Sequence, residues 1–187
     1  MKKSTMILLG VLAVIVIIIS MLGGSYNSLV TKQEQVDKEL ANIDVQLERR
    51  ADLIPNLVST VKGYTSHESE IIDKITSARE NLLKADSVSE KSTANNELTS
   101  ALNALMVVVE NYPDLKSNQN FIQLSDELAG TENRIATARR DYNDSVTSYN
   151  TSIKKFPTNI LDGMFGFEKK DYFEVSEGKT DVPNVEF

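Results

Sequence analysis

The single histidine of the chain, His67, begins a short pattern that starts like the metal-binding helix of a zinc protease. The residues are His67-Glu68-Ser69-Glu70-Ile71. The protease pattern needs a second histidine one helical turn later, so that two imidazoles bind one metal ion, and isoleucine stands there instead. A di-iron bundle would need two Glu-x-x-His pairs, and thiolate chemistry would need cysteine, which the chain lacks. We therefore predict no catalytic, metal or cofactor site, and we expect the protein not to be an enzyme.

Charged side chains at core-facing positions form the first candidate site. Glu68 and Glu132 lie at or beside the apolar stripes of two predicted helices, and Arg79 and Arg139 lie beside the same stripes farther along. Measured from one common turn at ~1.5 Å per residue, the two acids lie at similar heights, and so do the two arginines. We interpret the four residues as two polar layers, which form either a buried binding site or an ion-pair network that fixes helix register.

Two segments that contain proline form the second candidate site, a docking tip. Its residues are Arg49, Arg50, Asp52, Pro55, Asn56, Pro113 and Asp114. Proline disfavours a helical residue before it, so each segment is expected to end a helix. The helices described below are predicted to form a bundle attached to a membrane. If both turns lie at the end of that bundle away from the membrane, they form a docking face for another protein. The alternative is that the two tight turns pack only on each other.

A third candidate site follows the last predicted helix and faces the membrane. Apolar residues recur there at the spacing of one helix face, at Phe156, Ile160, Leu161, Met164 and Phe165, and lysines bracket the run at 154, 155, 169 and 170. This pattern is typical of a segment that lies in the membrane interface. We predict that Met164, Phe165 and Phe167 contact the bilayer. Phe156 and Ile160 are expected to fold back over the end of the bundle.

The elements that position these residues are predicted to be long helices. Apolar residues recur in steps of three, four or seven from Leu29 to Phe156, which indicates a core-facing helical stripe. Prolines and a Ser87–Glu90 capping box divide the pattern into helices at about 26–51, 55–85, 88–112 and 118–156. Four helices with short connections predict an up-and-down antiparallel four-helix bundle, so the fold class is all-α.

The amino-terminal region predicts a membrane anchor. Lys2 and Lys3 precede an apolar run from Met6 to Leu22, and a helix of this length spans about 25 Å, near the lower limit for a bilayer core. We assign residues 1–5 to a short amino-terminal segment, 6–24 to a single transmembrane helix, 25–175 to the bundle with its membrane-proximal segment, and 176–187 to a polar tail. A cleaved signal peptide is the alternative. Because the two lysines lie before the run, we expect the bundle on the extracytoplasmic side of the cell membrane.

The net charge limits the classes of partner. A formal charge of −7 argues against nucleic acid, because binding to phosphates needs a basic surface. We expect the lipid bilayer and an unidentified protein as partners, with self-association left open. The function that we predict is that of an interaction or scaffold module. The alternative is a membrane-tethered sensor that binds a small ligand and acts through a partner protein.

Several segments resemble the LemA family of bacterial membrane-anchored helical proteins. They include residues 26–30, 49–64, 111–115 and 121–140, and the similarity runs from about 25 to 175. One departure is Leu40, where members of the family often carry tryptophan. The resemblance implies a four-helix bundle behind one membrane helix, and it implies no particular activity.

Overall fold

The structure is a computed structural model that describes residues 3–65, 68–159 and 165–174. These residues form helices and no strand, which confirms the all-α fold class. In chain order the helices are α1 (Lys3–Lys62), α2 (Ser69–Lys84), α3 (Val88–Val109), α4 (Pro113–Lys116) and α5 (Gln119–Lys154). The chain divides into an anchor unit, residues 1–39 and 142–170, and a bundle unit, residues 40–141 and 171–187. The predicted tail, 176–187, lies outside the described residues.

The bundle unit contains the second part of α1, then α2, α3 and α4, and the first part of α5. Its core is the predicted apolar stripe, and the side chains that are at most 2% exposed include Ile43, Ile54, Leu57, Val61, Ile75, Leu98, Leu105, Leu115 and Ile135. Asp44 of α1 pairs with Lys91 of α3, and Arg50, farther along α1, bonds to Asn95, farther along α3. The two helices therefore run in the same direction, as an up-and-down bundle requires.

The connection between α2 and α3 is the one that the sequence predicts. Ser87 is the N-cap of α3, and its side chain accepts a hydrogen bond from the backbone N–H of Glu90. The Glu90 carboxylate accepts in return from the backbone N–H of Ser87. The capping box satisfies backbone donors that would otherwise lack a partner at the helix start, so it fixes where α3 begins.

The predicted break at Pro55 is wrong, because α1 continues through this proline to Lys62. A proline inside a helix lacks the N–H that would bond to the carbonyl four residues earlier, here that of Ala51. Arg79 of α2 supplies the missing donor, with its Nε 2.7 Å from the Ala51 oxygen. The chain instead leaves the helix at Gly63, so the predicted second helix is shorter and begins at Ser69.

Replacement of Arg79 therefore tests how α1 tolerates its proline. We expect Arg79→Met to lower the free energy of unfolding by about 1–2 kcal/mol, because it leaves the buried Ala51 carbonyl without a donor. In a Pro55→Ala background the new backbone N–H reaches that carbonyl, so the same substitution should cost clearly less. A double-mutant cycle by urea unfolding measures the difference. Equal costs in both backgrounds would contradict this explanation.

The anchor unit begins with the apolar part of α1. Its large side chains from Ile7 to Met21 are 47–68% exposed where the structure describes them. Of the helices in the described part of the chain, α1 has the length and hydropathy to cross a membrane. A surface of this kind is unfavourable in water and favourable in a bilayer core.

The remainder of the anchor unit has a small core of its own. Leu29 and Val36 of α1 are buried, as are Tyr142, Val146 and Tyr149 of α5. The two tyrosines thus fill the core of this unit. Next to them, the Asn150 amide accepts from the backbone N–H of residue 170 at 2.9 Å and donates to its carbonyl at 2.8 Å, which holds the segment that follows α5 against the helix.

The predicted membrane-contact residues separate into two groups. Phe165 is 57% exposed and lies 5.0 Å from Tyr26 between ring centroids, whereas Phe167 is 7% exposed. Both rings lie against Tyr26, since Phe167 is 5.6 Å from it between centroids, and Gly166, with a φ of +70°, turns the backbone between them. The prediction for Phe167 is therefore wrong, and so is that for Phe156, which is 77% exposed. Phe165 stays a predicted membrane contact, and Met164 and Ile160 lie outside the described residues.

The difference between the two phenylalanines gives a second prediction. Phe167→Ser should destabilise the protein by about 3 kcal/mol or more, because it removes a buried aromatic ring and leaves a cavity. Phe165→Ser should cost less than about 1.5 kcal/mol, the value of one exposed ring-to-ring contact. Thermal unfolding of the full chain in detergent micelles, followed by circular dichroism, compares the two. A larger loss for Phe165→Ser would contradict the structure of this segment.

Candidate functional site

Arg50 is a charged side chain in the interior of the bundle unit, with only 3% of its surface exposed. Its Nη1 donates to Asn95 Oδ1 at 2.6 Å and to Thr99 Oγ1 at 3.0 Å, both on α3. Glu132 of α5 places Oε2 2.6 Å from the same nitrogen. Burial lowers the pKa of Arg50 below its usual value, and the negative charge of Glu132 opposes that change. Arg50 of α1 thus connects α3, through Asn95 and Thr99, with α5, through Glu132, in one polar cluster.

The cluster leaves several polar atoms without a hydrogen bond. Nη1 has two hydrogens, which Asn95 and Thr99 use, so Glu132 Oε2 makes a close charge contact and accepts no directed hydrogen bond. Arg50 Nε and Ser125 Oγ are also buried without a partner. Buried polar atoms are normally paired, and an unpaired one costs about 1–3 kcal/mol. Several such atoms in one place mark a buried polar cluster whose hydrogen bonds within the chain are incomplete.

Arg50, Ser125 and Glu132 belong to the lining of a cleft of ≈ 340 Å³, which we call the α3–α5 cleft. It is lined by Arg50, Leu57, Thr99, Leu102, Asn103, Leu105, Met106, Ser125, Leu128, Ala129, Glu132 and Asn133. The wall surface is mostly apolar, with four leucines, Met106 and Ala129, and six polar residues, the charged pair among them, complete it. Mostly apolar walls with a few polar groups are typical of binding pockets of this size.

The four residues of the predicted polar layers have different partners. Glu132 pairs with Arg50, and Arg79 bonds to the Ala51 carbonyl. Glu68 accepts from the Tyr112 hydroxyl at 2.9 Å, which raises the pKa of that tyrosine. Arg139 donates to the Glu174 carbonyl at 3.0 Å and lies over the ring of Phe173. The prediction of two matched polar layers is therefore wrong. It places the turn between the first two helices at Pro55, whereas the chain turns at Gly63, which changes the height of every residue on the second helix.

The predicted docking tip is also corrected. Pro55 and Asn56 are exposed on the side of α1 and form no turn, and Arg50 is buried in the cleft. Pro113 does begin a turn of helix, α4, where Asp114 is exposed. Arg49 and Asp52 are exposed on α1. The prediction of a turn at Pro55 is therefore wrong, and the docking role of the tip stays a prediction.

Arg50 is predicted at the docking tip, although its spacing from neighbouring apolar residues indicates a position in the core. It lies three residues after Leu47 and four before Ile54, on the same stripe as both. A charged residue on an apolar stripe needs a partner on another helix. A helix break at Pro55 would let the Arg50 side chain reach water beside a turn. The sequence therefore does not require a buried partner for Arg50.

The comparisons with known proteins agree with the fold. The sequence profile of the LemA family matches residues 39–187. The chain is 31% identical to the magnetosome protein MamQ 2 of Paramagnetospirillum magneticum, over 90% of this chain and 71% of that protein. It is 29% identical to the magnetosome protein MamQ of Magnetospirillum gryphiswaldense, over 95% and 75%.

A third relative carries the family's name. The protein LemA of Metamycoplasma hominis is 30% identical to the chain, over 82% of this chain and 71% of that protein. The apolar part of α1 and these relatives together indicate a membrane-associated protein. The profile match spans the bundle unit and most of the residues that follow the anchor. The chain belongs to the LemA family.

Proposed function

We propose that this protein is a membrane-anchored interaction module whose bundle receives a partner protein in the α3–α5 cleft. It acts by binding rather than by catalysis. The observation that carries the proposal is the cleft itself, whose mostly apolar lining includes the Arg50–Glu132 pair and whose mouth exposes Met106. The apolar part of α1 holds the bundle at the membrane. The names of the relatives specify no reaction and no ligand.

The mouth of the cleft offers surface for contact with a partner. Met106 of α3 is 47% exposed, and Asn103 and Ala129 beside it are exposed as well. Methionine is common at surfaces that bind helical or extended segments, because its flexible side chain adapts to different shapes. A partner segment that covers Met106 would also exclude water from the charged pair behind it.

Photo-crosslinking in native membranes tests the proposal. A benzophenone amino acid at Asn103, at the mouth of the cleft, should form a discrete crosslinked protein product when membranes are irradiated. The matched control is the same amino acid at Leu83 of α2, which is 51% exposed and does not line the cleft. Addition of a bulky Ala129→Phe substitution should abolish the product from Asn103. The proposal fails if both positions give the same products, or if Ala129→Phe has no effect.

A second candidate function is a membrane-tethered sensor of a small ligand. The volume of the cleft, ≈ 340 Å³, favours it, because small-molecule pockets begin at about this size. A sensor of this kind would pass its signal to a partner protein. Saturable binding of a small molecule, with no crosslinked protein at Asn103, would favour this function over the first.

The orientation of the bundle is a further part of the proposal. We expect the bundle on the extracytoplasmic side, because Lys2 and Lys3 lie directly before the apolar run. The chain has no cysteine, so Ser100→Cys, at an exposed position, gives a unique label site. An impermeant maleimide should label it on intact cells, and should label Ser4→Cys only after lysis. The reverse pattern would place the bundle in the cytoplasm.

A further inference from the structure

We infer that the anchor unit binds the headgroup layer of the bilayer through a basic and aromatic surface that recognises the phosphates of anionic lipids. This surface, which we call the membrane collar, consists of Tyr26, Lys154, Lys155, Phe156, Phe165 and Lys169. It shares no residue with the α3–α5 cleft, so the inference does not depend on the proposed function. Its partner is the lipid of the same membrane that holds the apolar part of α1.

The aromatic side chains of the collar lie just beyond the apolar run of α1. Tyr26 follows Leu22, the end of the run, by four residues, or about 6 Å along the helix. The ring of Phe165 lies 5.0 Å from that of Tyr26 between centroids. The headgroup layer on each side of a bilayer is about 5–8 Å thick, and aromatic rings are common at this depth. With Leu22 at the edge of the hydrocarbon core, both rings lie among the headgroups.

The helices α1 and α5 run in opposite directions. Lys32 of α1 donates a hydrogen bond to Ser148 of α5 at 2.8 Å. Farther along α1, Arg50 contacts Glu132, which precedes Ser148 in α5. Following α5 to its end therefore leads back along α1 toward its apolar run.

The end of α5 lies near the depth of the aromatic rings. From the level of Lys32, six residues of α1 lead back to Tyr26 and six residues of α5 lead on to Lys154, about 9 Å on each helix. Lys154 is the last residue of α5, and Lys155 and Phe156 follow it directly. These three residues therefore come out at headgroup depth.

Phe156 exposes an apolar ring at this depth. It is 77% exposed, the largest value for a large apolar side chain in the part of the chain that the structure describes. The turn after it is held by the Thr158 hydroxyl, which donates to the carbonyls of Ser152 at 2.6 Å and Lys155 at 2.7 Å. An exposed ring is unfavourable in water, and burial of its apolar surface in the membrane interface removes that cost.

Three lysines of the collar are available to lipid phosphates. Lys154, Lys155 and Lys169 are exposed, and none of them pairs with a carboxylate of the described residues. Lys170, in contrast, pairs with Asp37 at 3.1 Å and is therefore not part of the collar. Lysine keeps its apolar stem along apolar surface while its charge reaches the headgroups, so it suits a surface that also carries phenylalanine.

The acids near the collar do not cancel this charge. Residues 154–170 contain four lysines against Asp162 and Glu168, in a chain whose formal charge is −7. Glu168 is exposed, and Asp162 lies outside the described residues. The nearest acids of α1 and α5, Glu34 and Asp144, are about 12 and 15 Å farther from the apolar run along their helices. A lysine near an anionic bilayer strengthens association by about fivefold, so lipid phosphates supply the counter-charge that the fold does not.

Tryptophan fluorescence of the full chain in lipid nanodiscs tests the depth of the collar. The chain has no tryptophan, so Phe156→Trp introduces a unique fluorophore at an exposed position. Phosphatidylcholine that carries bromine on its acyl chains should quench this fluorophore. The matched control is Gln35→Trp, at an exposed position of α1 about 20 Å beyond Leu22, which should be quenched several-fold less.

The lysines are tested by which lipid does the quenching. The nanodiscs contain phosphatidylcholine and a minor fraction of phosphatidylglycerol, and bromine is placed either on the phosphatidylglycerol or on an equal amount of phosphatidylcholine. We expect brominated phosphatidylglycerol to quench Phe156→Trp about twofold more, because the lysines recruit it. Lys154→Gln, Lys155→Gln and Lys169→Gln together should remove the difference.

The control for net charge changes three exposed lysines outside the collar. Lys38→Gln, Lys74→Gln and Lys84→Gln together alter the formal charge by the same amount and should keep the preference for phosphatidylglycerol. Loss of the preference in this control would assign it to net charge and overturn the inference. Equal quenching by the two brominated lipids, or Phe156→Trp quenched no more than Gln35→Trp, would overturn it as well.

Discussion

Arg50→Met is expected to lower the free energy of unfolding by about 2–4 kcal/mol, because it leaves the partners of a buried charge unpaired. Asn95, Thr99 and Glu132 all contact Arg50 Nη1, and methionine offers none of them a hydrogen bond. Glu132 is 36% exposed, so water offsets part of the cost and the loss falls short of that for a fully buried pair. Urea unfolding of the full chain in detergent micelles, followed by circular dichroism, measures it.

The neighbouring arginine is the matched control for this substitution. Arg49 is exposed, so Arg49→Met should change the free energy of unfolding by no more than about 0.5 kcal/mol. The double variant Arg50→Met with Glu132→Met should recover part of the loss, because a charged pair replaced by apolar residues of similar size leaves no unpaired charge. Losses that simply add would show that the two side chains act independently.

Two lysines placed in the apolar part of α1 should release the protein from the membrane. Val14→Lys together with Ile17→Lys adds about 5–7 kcal/mol to the cost of inserting the helix, at about 2.5–3.5 kcal/mol for each lysine near its centre. Both positions are more than half exposed, so neither packs against a protein core. Membrane fractions washed at alkaline pH and analysed by immunoblot give the distribution between pellet and supernatant.

The control places the same charge outside the apolar run. Thr31→Lys together with Gln35→Lys changes two exposed positions of α1 and should leave the protein in the membrane pellet. The mass of the protein from cell membranes completes the experiment, because an anchor retains residues 1–24 whereas a signal peptide loses them. A double variant at Val14 and Ile17 that stays in the pellet would contradict the role of α1 as the anchor.

The sequence predicted the elements whose signals are local and regular. The apolar spacing identified the buried stripe from Leu29 to Ile153, and the Ser87–Glu90 capping box located the start of α3. These signals are reliable because helix periodicity and capping depend on residues close in the chain. The all-α fold follows from them.

The two main errors depended on contacts between distant residues. Pro55 disfavours a continuous helix, and the Ala51 carbonyl that it leaves without a backbone donor accepts instead from Arg79, 28 residues away in the sequence. A helix that ends at Pro55 places Arg50 beside a surface turn. The sequence pattern therefore predicts neither the burial of Arg50 nor the α3–α5 cleft. The position of Phe167 likewise depends on the turn at Gly166 and on packing in the anchor unit. No periodic pattern encodes such contacts.

Occupancy of the α3–α5 cleft in the native membrane is tested most directly by the reactivity of a cysteine introduced at Ala129. Its control is a cysteine at Ala136, which is exposed on the same helix, α5, and does not line the cleft. We predict that a maleimide labels Ala129→Cys several-fold more slowly in native membranes than in purified protein in nanodiscs, while Ala136→Cys reacts equally in both. Equal rates for Ala129→Cys in the two preparations would show that the cleft is empty in the cell and would contradict the proposed function.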